Sequence, residues 1–468
     1  MKNIFRKKSI EGLIAQGSKG SGLNRVLSSL DLTLLGMGAI IGAGIFVLAG
    51  QGSLSAGPAL IISFIIAAIA CGFAAMAYAE FASVIPVSGS VYTYTYATMG
   101  EFFAWLIGWD LVLEYGFISS AVSVGWSGYF QSLLSGFGIH LPQYLTAAPG
   151  SISGVTTFFN LPAFIIVLLI TALLAKGVKE SMRVNNIMVY VKVAVVLLFI
   201  GVGAVYVKPE NWTPFMPYGW SGVFQGAALV FFAFIGFDAV SSAAEEVKNP
   251  ARDLPRGIIY SLGICTVLYV IMAAIMTGVV PFQQYLGVAN PISLALHIAK
   301  QNWVAGFIDI GAVLGMTTVM LVMTYGLIRI FFAMSRDGLL PKLFSYLHPV
   351  TKTPTKSTWL IGICTALTGA LVPLSVLGEL VNIGTLAAFS FVSLAVIILR
   401  HTHPHLHRTF RCPGSPLVPL LAMGSCIFLM TQLRLVTWYA FGVWFVIGLV
   451  IYFTYSRKNS ALNAVMET

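Results

Sequence analysis

Apolar runs long enough to cross a hydrocarbon core recur along nearly the whole of this 468-residue chain. A helix needs about 20 such residues to span the core, and scanning at that length gives approximate spans at 30–52, 58–83, 97–131, 162–178, 186–206, 220–243, 256–280, 302–333, 357–374, 379–400, 415–433 and 436–456. Charged residues make up 9% of the chain, against roughly 25% in an ordinary soluble domain, so most of the surface must meet lipid. The expectation is an all-α polytopic membrane protein of about twelve transmembrane helices.

The ends and the charges orient those spans. Residues 1–29 are polar and basic, with Lys2, Arg6, Lys7, Lys8, Lys19 and Arg25, and have no apolar core of the kind a cleaved signal peptide carries. Starting this segment inside and alternating sides puts 22 of the 26 lysines and arginines in inner segments, with Lys208, Lys300 and Arg434 outside and Lys192 within a span. Basic loops stay in the cytoplasm. Both termini are therefore expected in the cytoplasm, with the protein in the plasma membrane. The net charge of +10 then lies at inner span ends, where anionic lipid attracts it, and nucleic acid need not be invoked as a partner. Of the five cysteines, Cys71, Cys265, Cys364 and Cys426 fall in apolar spans and Cys412 in an inner loop, without metal-ligand spacing, which predicts reduced packing residues.

No long polar insertion divides the chain, so the expected organisation is a tail over 1–29, one transmembrane domain over 30–456 and a second tail over 457–468. Two spans are imperfect helices. The first reads GMGAIIGAGIF, with Gly36, Gly38, Gly42 and Gly44 around Ile40 and Ile41, a stretch that holds helix poorly. The sixth reads FFAFIGFDAVSSAAEE, with Asp238 following Gly236 deep in an apolar run. Small residues of this kind also serve close helix packing. Their occurrence at equivalent places in two halves instead points to broken helices at a transport site. Unwinding exposes N–H and C=O groups that lipid cannot satisfy. Free N–H groups after Gly42 suit a carboxylate and free carbonyls suit an ammonium, a pair of preferences that describes an amino-acid zwitterion.

Four motifs in order carry a resemblance: GAGIF in span one, PVSGSVYTYTY after span two, FIGFDAVSSAAEEVKNPARDLPRGI through span six, and SRDGLLP after span eight. The chain resembles the amino acid–polyamine–organocation (APC) superfamily of permeases, and within it the bacterial members of the cationic amino acid transporter (CAT) family. The resemblance implies the LeuT-type fold, with inverted repeats of five helices over 30–206 and 220–400, two peripheral helices over 415–456, and alternating access. It also implies that the substrate carboxylate lies on the backbone of Gly42, Ala43 and Gly44, running on to Ile45. The amine would lie near carbonyls around Ile41, Phe232 and Ile235, within the stretch that includes Ala233 and Phe234. An aromatic before the second break gates the outer side in relatives, which makes Phe231, Phe232 and Phe234 candidates.

Charges inside the spans refine this. Lys192 lies seven residues beyond Asn185 in span five. If it faces inward, desolvation favours release of its proton, and in some relatives a lysine of this span replaces a sodium ion; if it faces the inner surface, it snorkels. Asp238 either caps the following half-helix near Ser241 or belongs to the site, so Lys192 and Asp238 are the candidates for proton coupling. Asp110 and Glu114 share a face of span three and are costly in lipid unless that face turns to the bundle interior. Glu114 either contacts the substrate amine or a cationic side chain, or bonds another span. Thr317 and Met320 on span eight either line the side-chain end of the pocket or pack. Glu80, Glu101 and Asp309 lie near span ends, and Glu245, Glu246, Lys248, Arg252, Asp253 and Arg256 form an inner loop that is solvated or closes an inner gate. The histidines at 401, 403, 405 and 407 alternate, unlike a helical metal pair.

The expected function is secondary active amino-acid transport coupled to a proton rather than sodium, with neutral or broad selectivity. The alternatives are a cationic amino-acid or polyamine transporter or exchanger, and a receptor that binds without translocating. No Gly-Lys dipeptide is present for a phosphate loop, no convergent nucleophiles or ligands indicate an enzyme, and no cofactor or metal is expected. The expected partners are a small amino acid and the bilayer; a small membrane-protein partner or a second copy is left open.

Overall fold

In a computed structural model, the described residues are 5–9, 27–85, 90–151, 154–176, 179–288, 290–348 and 353–465, and the side chains at 179–184, 242, 245, 246, 464 and 465 lie outside the description. The expected inner-gate pairs of Glu245 and Glu246 therefore fall outside it, as do residues 86–89 of the PVSG motif.

Every long apolar run becomes helix, because lipid offers no partner for an open backbone. In chain order these are α1 (Ser29–Ile40), α2 (Ala49–Ala56), α3 (Leu60–Val84), α4 (Ser90–Thr98), α5 (Glu101–Gly136), α6 (Leu161–Lys176), α7 (Lys179–Ala204) and α8 (Gly219–Val230). They are followed by α9 (Pro250–Val279), α10 (Pro291–Ile298), α11 (Asn302–Arg336), α12 (Thr355–Leu371), α13 (Leu374–Thr402), α14 (Leu417–Thr431) and α15 (Leu435–Ile451). Eight helical stretches are long and apolar enough to cross a membrane, and α6 and α14 are shorter apolar helices. The first of the eight runs over 29–84 and takes in both of the first two expected spans, divided at Gly57 with a left-handed φ of 65°. Span three begins later than expected: Gly100, at φ 99°, separates α4 from α5. At 36 residues, α5 is about 54 Å long and overshoots the hydrocarbon core.

Helix starts follow local chemistry. At α1, Ser28 Oγ accepts from the Asp31 N–H at 3.3 Å while Asp31 Oδ2 accepts from the Ser28 N–H at 2.9 Å, a reciprocal cap. Small residues then let helices touch: a Cβ on Gly257 would stand 2.6 Å from Leu32 Cβ, and one on Gly311 2.3 Å from Val195. The long helices α5 and α11 run against each other, and α9 packs on both α1 and α3. By contrast α15 leaves Val436, Tyr439, Val443, Val446 and Val450 exposed, as a lipid-facing helix should. Cys364, expected to pack, is also exposed, on the outer face of α12; the other four cysteines are buried and all five are free thiols.

Charges near helix ends are spent on ties. Glu80 of α3 is fully buried and accepts from Arg400 at 2.9 and 2.5 Å, from Arg408 at 3.2 Å and from the Cys412 N–H at 2.8 Å. That cluster fixes the end of α3 to the end of α13 and the loop behind it. At the opposite ends, Asp309 of α11 accepts from Ser132 of α5 at 2.9 Å and from Ser293 of α10.

Candidate functional site

The glycine-rich stretch of the first span does break its helix. α1 ends at Ile40, Ile41 turns extended with ψ 99°, Gly42 follows outside helix, and the chain resumes through a π-helical turn, Gly44–Leu48, into α2. Phe46 is the first residue beyond the break whose N–H finds a backbone acceptor, the Gly42 carbonyl at 3.2 Å. The N–H groups of Gly42, Ala43, Gly44 and Ile45 have none among the described residues, as the start of a helix leaves them. All four residues are buried.

The sixth span breaks beside it. α8 tightens into a 3-10 turn, Phe231–Phe234, then Ile235 and Gly236 turn outside helix, and a 3-10 segment, Phe237–Glu246, continues. Gly236 has φ 123° and ψ −15°, a region that residues with a Cβ rarely enter. The two breaks meet backbone to backbone. A Cβ on Gly44 would stand 2.2 Å from Ala233 Cα, and one on Gly236 2.8 Å from Ala39 Cβ. Glycine at both places is what permits the approach.

Of the carbonyls expected to receive an amine, that of Ile41 already accepts from Lys192 at 3.0 Å and that of Phe232 from the Ile235 N–H at 3.3 Å. The gate candidates are buried: Phe231 lies against Phe389, with ring centroids 5.8 Å apart, and Phe234 against Phe64 and Tyr269 at 6.0 and 5.4 Å. Phe232 retains 4% exposure.

Lys192 of α7 faces inward and is fully buried. Its Nζ donates to the Gly38 carbonyl at 2.6 Å, the Ile41 carbonyl at 3.0 Å and Thr318 Oγ1 at 2.9 Å. Three donors thus meet three acceptors, two of them carbonyls freed by the end of α1, and no carboxylate is among them. Snorkelling to an interface is ruled out for this conformation. Beside it, Tyr269 donates to the Ile40 carbonyl at 2.9 Å, so the broken end is held from α7, α9 and α11 at once.

Asp238 is fully buried and its Oδ2 accepts from Tyr115 at 2.5 Å, while Oδ1 has no hydrogen-bond partner among the described residues. The cap near Ser241 takes another form: Ser241 Oγ donates to the Asp238 backbone carbonyl at 2.6 Å. Asp110 and Glu114 turn to the interior as their shared face required. Both Asp110 carboxylate oxygens and Glu114 Oε2 are buried without a hydrogen-bond partner among the described residues. On α11, Met320 is fully buried and Thr317 Oγ1 accepts from Trp126 at 3.1 Å. Sequence reasoning missed Tyr115, Thr318 and Tyr269. Tyr115 and Thr318 each adjoin a residue singled out in sequence, and nothing in the chain marks which neighbour points inward.

The sequence is similar to known proteins over almost its whole length. A family model described as "Amino acid permease" matches residues 27–464. A branched-chain amino acid permease of Bacillus subtilis is 66% identical over 98% of this chain and 99% of its own length. A methylthioribose transporter of the same organism is 55% identical over 99% of this chain and 100% of its own, and a vacuolar cationic amino acid transporter of Arabidopsis thaliana is 38% identical over 86% of this chain and 68% of its own. These relatives are transporters, not enzymes. The two broken helices and matches spanning almost the whole chain lead to one assignment: the protein belongs to the amino acid permease family.

Proposed function

We propose that the protein is a secondary active transporter of neutral, branched-chain amino acids that moves substrate with a proton by alternating access. The observation that carries this reading is the row of four buried N–H groups, Gly42 to Ile45, without acceptors beside the second break. A carboxylate satisfies them and gains from the helix start behind them. The amine falls to the carbonyls around Ile235, and Met320 bounds an apolar side chain. The name of the relative at 66% identity supports a branched-chain substrate, and the apolar surroundings favour a neutral one.

In this reading the fold is the LeuT type, with twelve spans: inverted repeats over 30–206 and 220–400, peripheral helices over 415–456, and tails over 1–29 and 457–468 in the cytoplasm. Lys192 carries the coupled proton. As an ammonium it ties the end of α1 to α11; after release of the proton it donates fewer bonds and the tie weakens. Asp238, held by Tyr115, is the second proton-linked group. Phe231 and Phe232 close the outer side.

A second reading, transport of methylthioribose, is favoured only by the relative at 55% identity; a neutral sugar has no carboxylate for the four N–H groups. A thermal-shift screen of the twenty amino acids and methylthioribose on purified protein, followed by counterflow in proteoliposomes, tests both. Stabilisation and counterflow by leucine, isoleucine or valine support the proposal. Response to methylthioribose alone overturns it, and stabilisation without counterflow identifies a receptor.

A further inference from the structure

The face that carries residues 5–9 and 457–463 holds a buried polar network that the transport site does not use. Glu101, at the start of α5, is fully buried. It accepts from Arg6 at 2.9 and 3.1 Å, Tyr96 at 2.8 Å, Tyr452 at 3.2 Å and Ser460. Asp337, just past α11, accepts from Lys8 at 2.7 Å and Tyr92 at 2.6 Å. Arg6 also donates to Asn463 at 2.6 Å, and the Glu101 N–H donates to the Arg6 carbonyl at 2.8 Å. A Cβ on Gly100 would stand 2.6 Å from the Phe5 carbonyl oxygen, so a bare glycine is what lets this N-terminal segment lie down.

The two acids are joined to the second break through α4. Tyr92 and Tyr96, on α4, donate to them, and Ser90 Oγ at the start of the same helix lies within hydrogen-bond distance of Ser241 Oγ, at 3.2 Å, three residues behind Asp238. The cations that neutralise the acids, Arg6 and Lys8, come from residues 5–9, a segment outside every helix that also lays Phe5 against Phe102 and Phe103. Withdrawing them would leave two buried carboxylates that must take up water, and the tyrosines that position α4 would loosen with them.

We propose that residues 5–9 are a latch. With Arg6 and Lys8 seated on Glu101 and Asp337, α4 stays pressed against the segment behind the second break and this face is closed; their release opens it. Which side of the membrane this face meets rests on the proposed orientation, but the latch itself does not.

The test is thiol access in purified protein in nanodiscs, without substrate, so that it succeeds or fails independently of transport. A reporter cysteine replaces Ala243, which is 6% exposed in the segment behind Asp238, in a Cys364→Ser background. Arg6→Gln or Lys8→Gln should speed maleimide labelling of the reporter about tenfold, within the roughly 5- to 150-fold typical of coupled sites. Arg6→Lys should stay near the parent rate. Equal labelling in all variants overturns the latch, even where the melting temperature falls, because the network would then only hold the termini. Should Arg6→Gln misfold, Lys8→Gln decides alone, since its ammonium is partly exposed at 20%.

Discussion

Replacing Lys192 by methionine separates its structural role from its coupling role. Methionine has a similar length and no donor. The Gly38 carbonyl keeps Thr318 Oγ1 at 3.1 Å, whose one hydrogen it shares with the Gly315 carbonyl at 2.7 Å, whereas the Ile41 carbonyl loses the only side-chain donor it has among the described residues. One orphaned buried carbonyl costs about 1–3 kcal/mol. Against this, the variant no longer holds an ammonium out of water, a penalty of several kcal/mol per ion. The two oppose each other at similar size, so Lys192→Met should fold and survive purification. The loss should appear in coupling. A gradient of one pH unit carries about 1.36 kcal/mol per proton, which concentrates a zwitterion carried with one proton about tenfold when the membrane potential is clamped at zero. In proteoliposomes with radiolabelled leucine, the parent should reach about that tenfold ratio and Lys192→Met should equilibrate near unity while still supporting counterflow. Retention of the parent's accumulation by Lys192→Met would refute the assignment.

Three further outcomes follow from particular contacts. Gly44→Ala drives a methyl to within 2.2 Å of Ala233 Cα; the breaks must separate at about 1–3 kcal/mol or more, and initial uptake should fall at least about tenfold with expression retained. Glu80→Gln leaves Arg400 and the buried Arg408 without their carboxylate; removing one partner of a buried pair costs about 3–5 kcal/mol, read as a lower melting temperature with transport per folded molecule unchanged. Met320→Ala, at a fully buried position, should let larger side chains compete for uptake, and an unchanged competition profile across the amino acids would remove Met320 from the pocket.

Long-range periodicity was the legible part of this chain. A run of some twenty apolar residues has one outcome in lipid, so α3, α9 and α13 could be read directly, and α1 and α8 could be read as broken because their glycines offset that tendency. Where each break falls was less legible. The first occupies Ile41 and Gly42 rather than the whole glycine stretch, because Gly36 and Gly38 lie in continuous helix and serve close packing, against Ser261 and Asn185. Helix α10, which lies between the expected spans 256–280 and 302–333, starts at a proline after Asn290 and is only 8 residues long, below the length at which periodicity speaks. The partners of buried charges were not legible at all. Lys192 reads as an isolated charge in sequence, yet its acceptors come from residues 38, 41 and 318; only the folded chain brings a freed helix end beneath an ammonium. The same holds for Glu101, a near-terminal acid in sequence that gathers donors from residues 6, 96, 452 and 460.

The account centres on a zwitterion and a proton moving together past two broken helices. Its most direct test is the internal pH of proteoliposomes holding a trapped pH-sensitive dye, with no starting pH gradient and the membrane potential clamped at zero, when leucine is added outside. The account predicts prompt acidification of the lumen, absent in liposomes carrying Lys192→Met and indifferent to sodium. Leucine uptake that requires sodium and leaves the internal pH unchanged would contradict it.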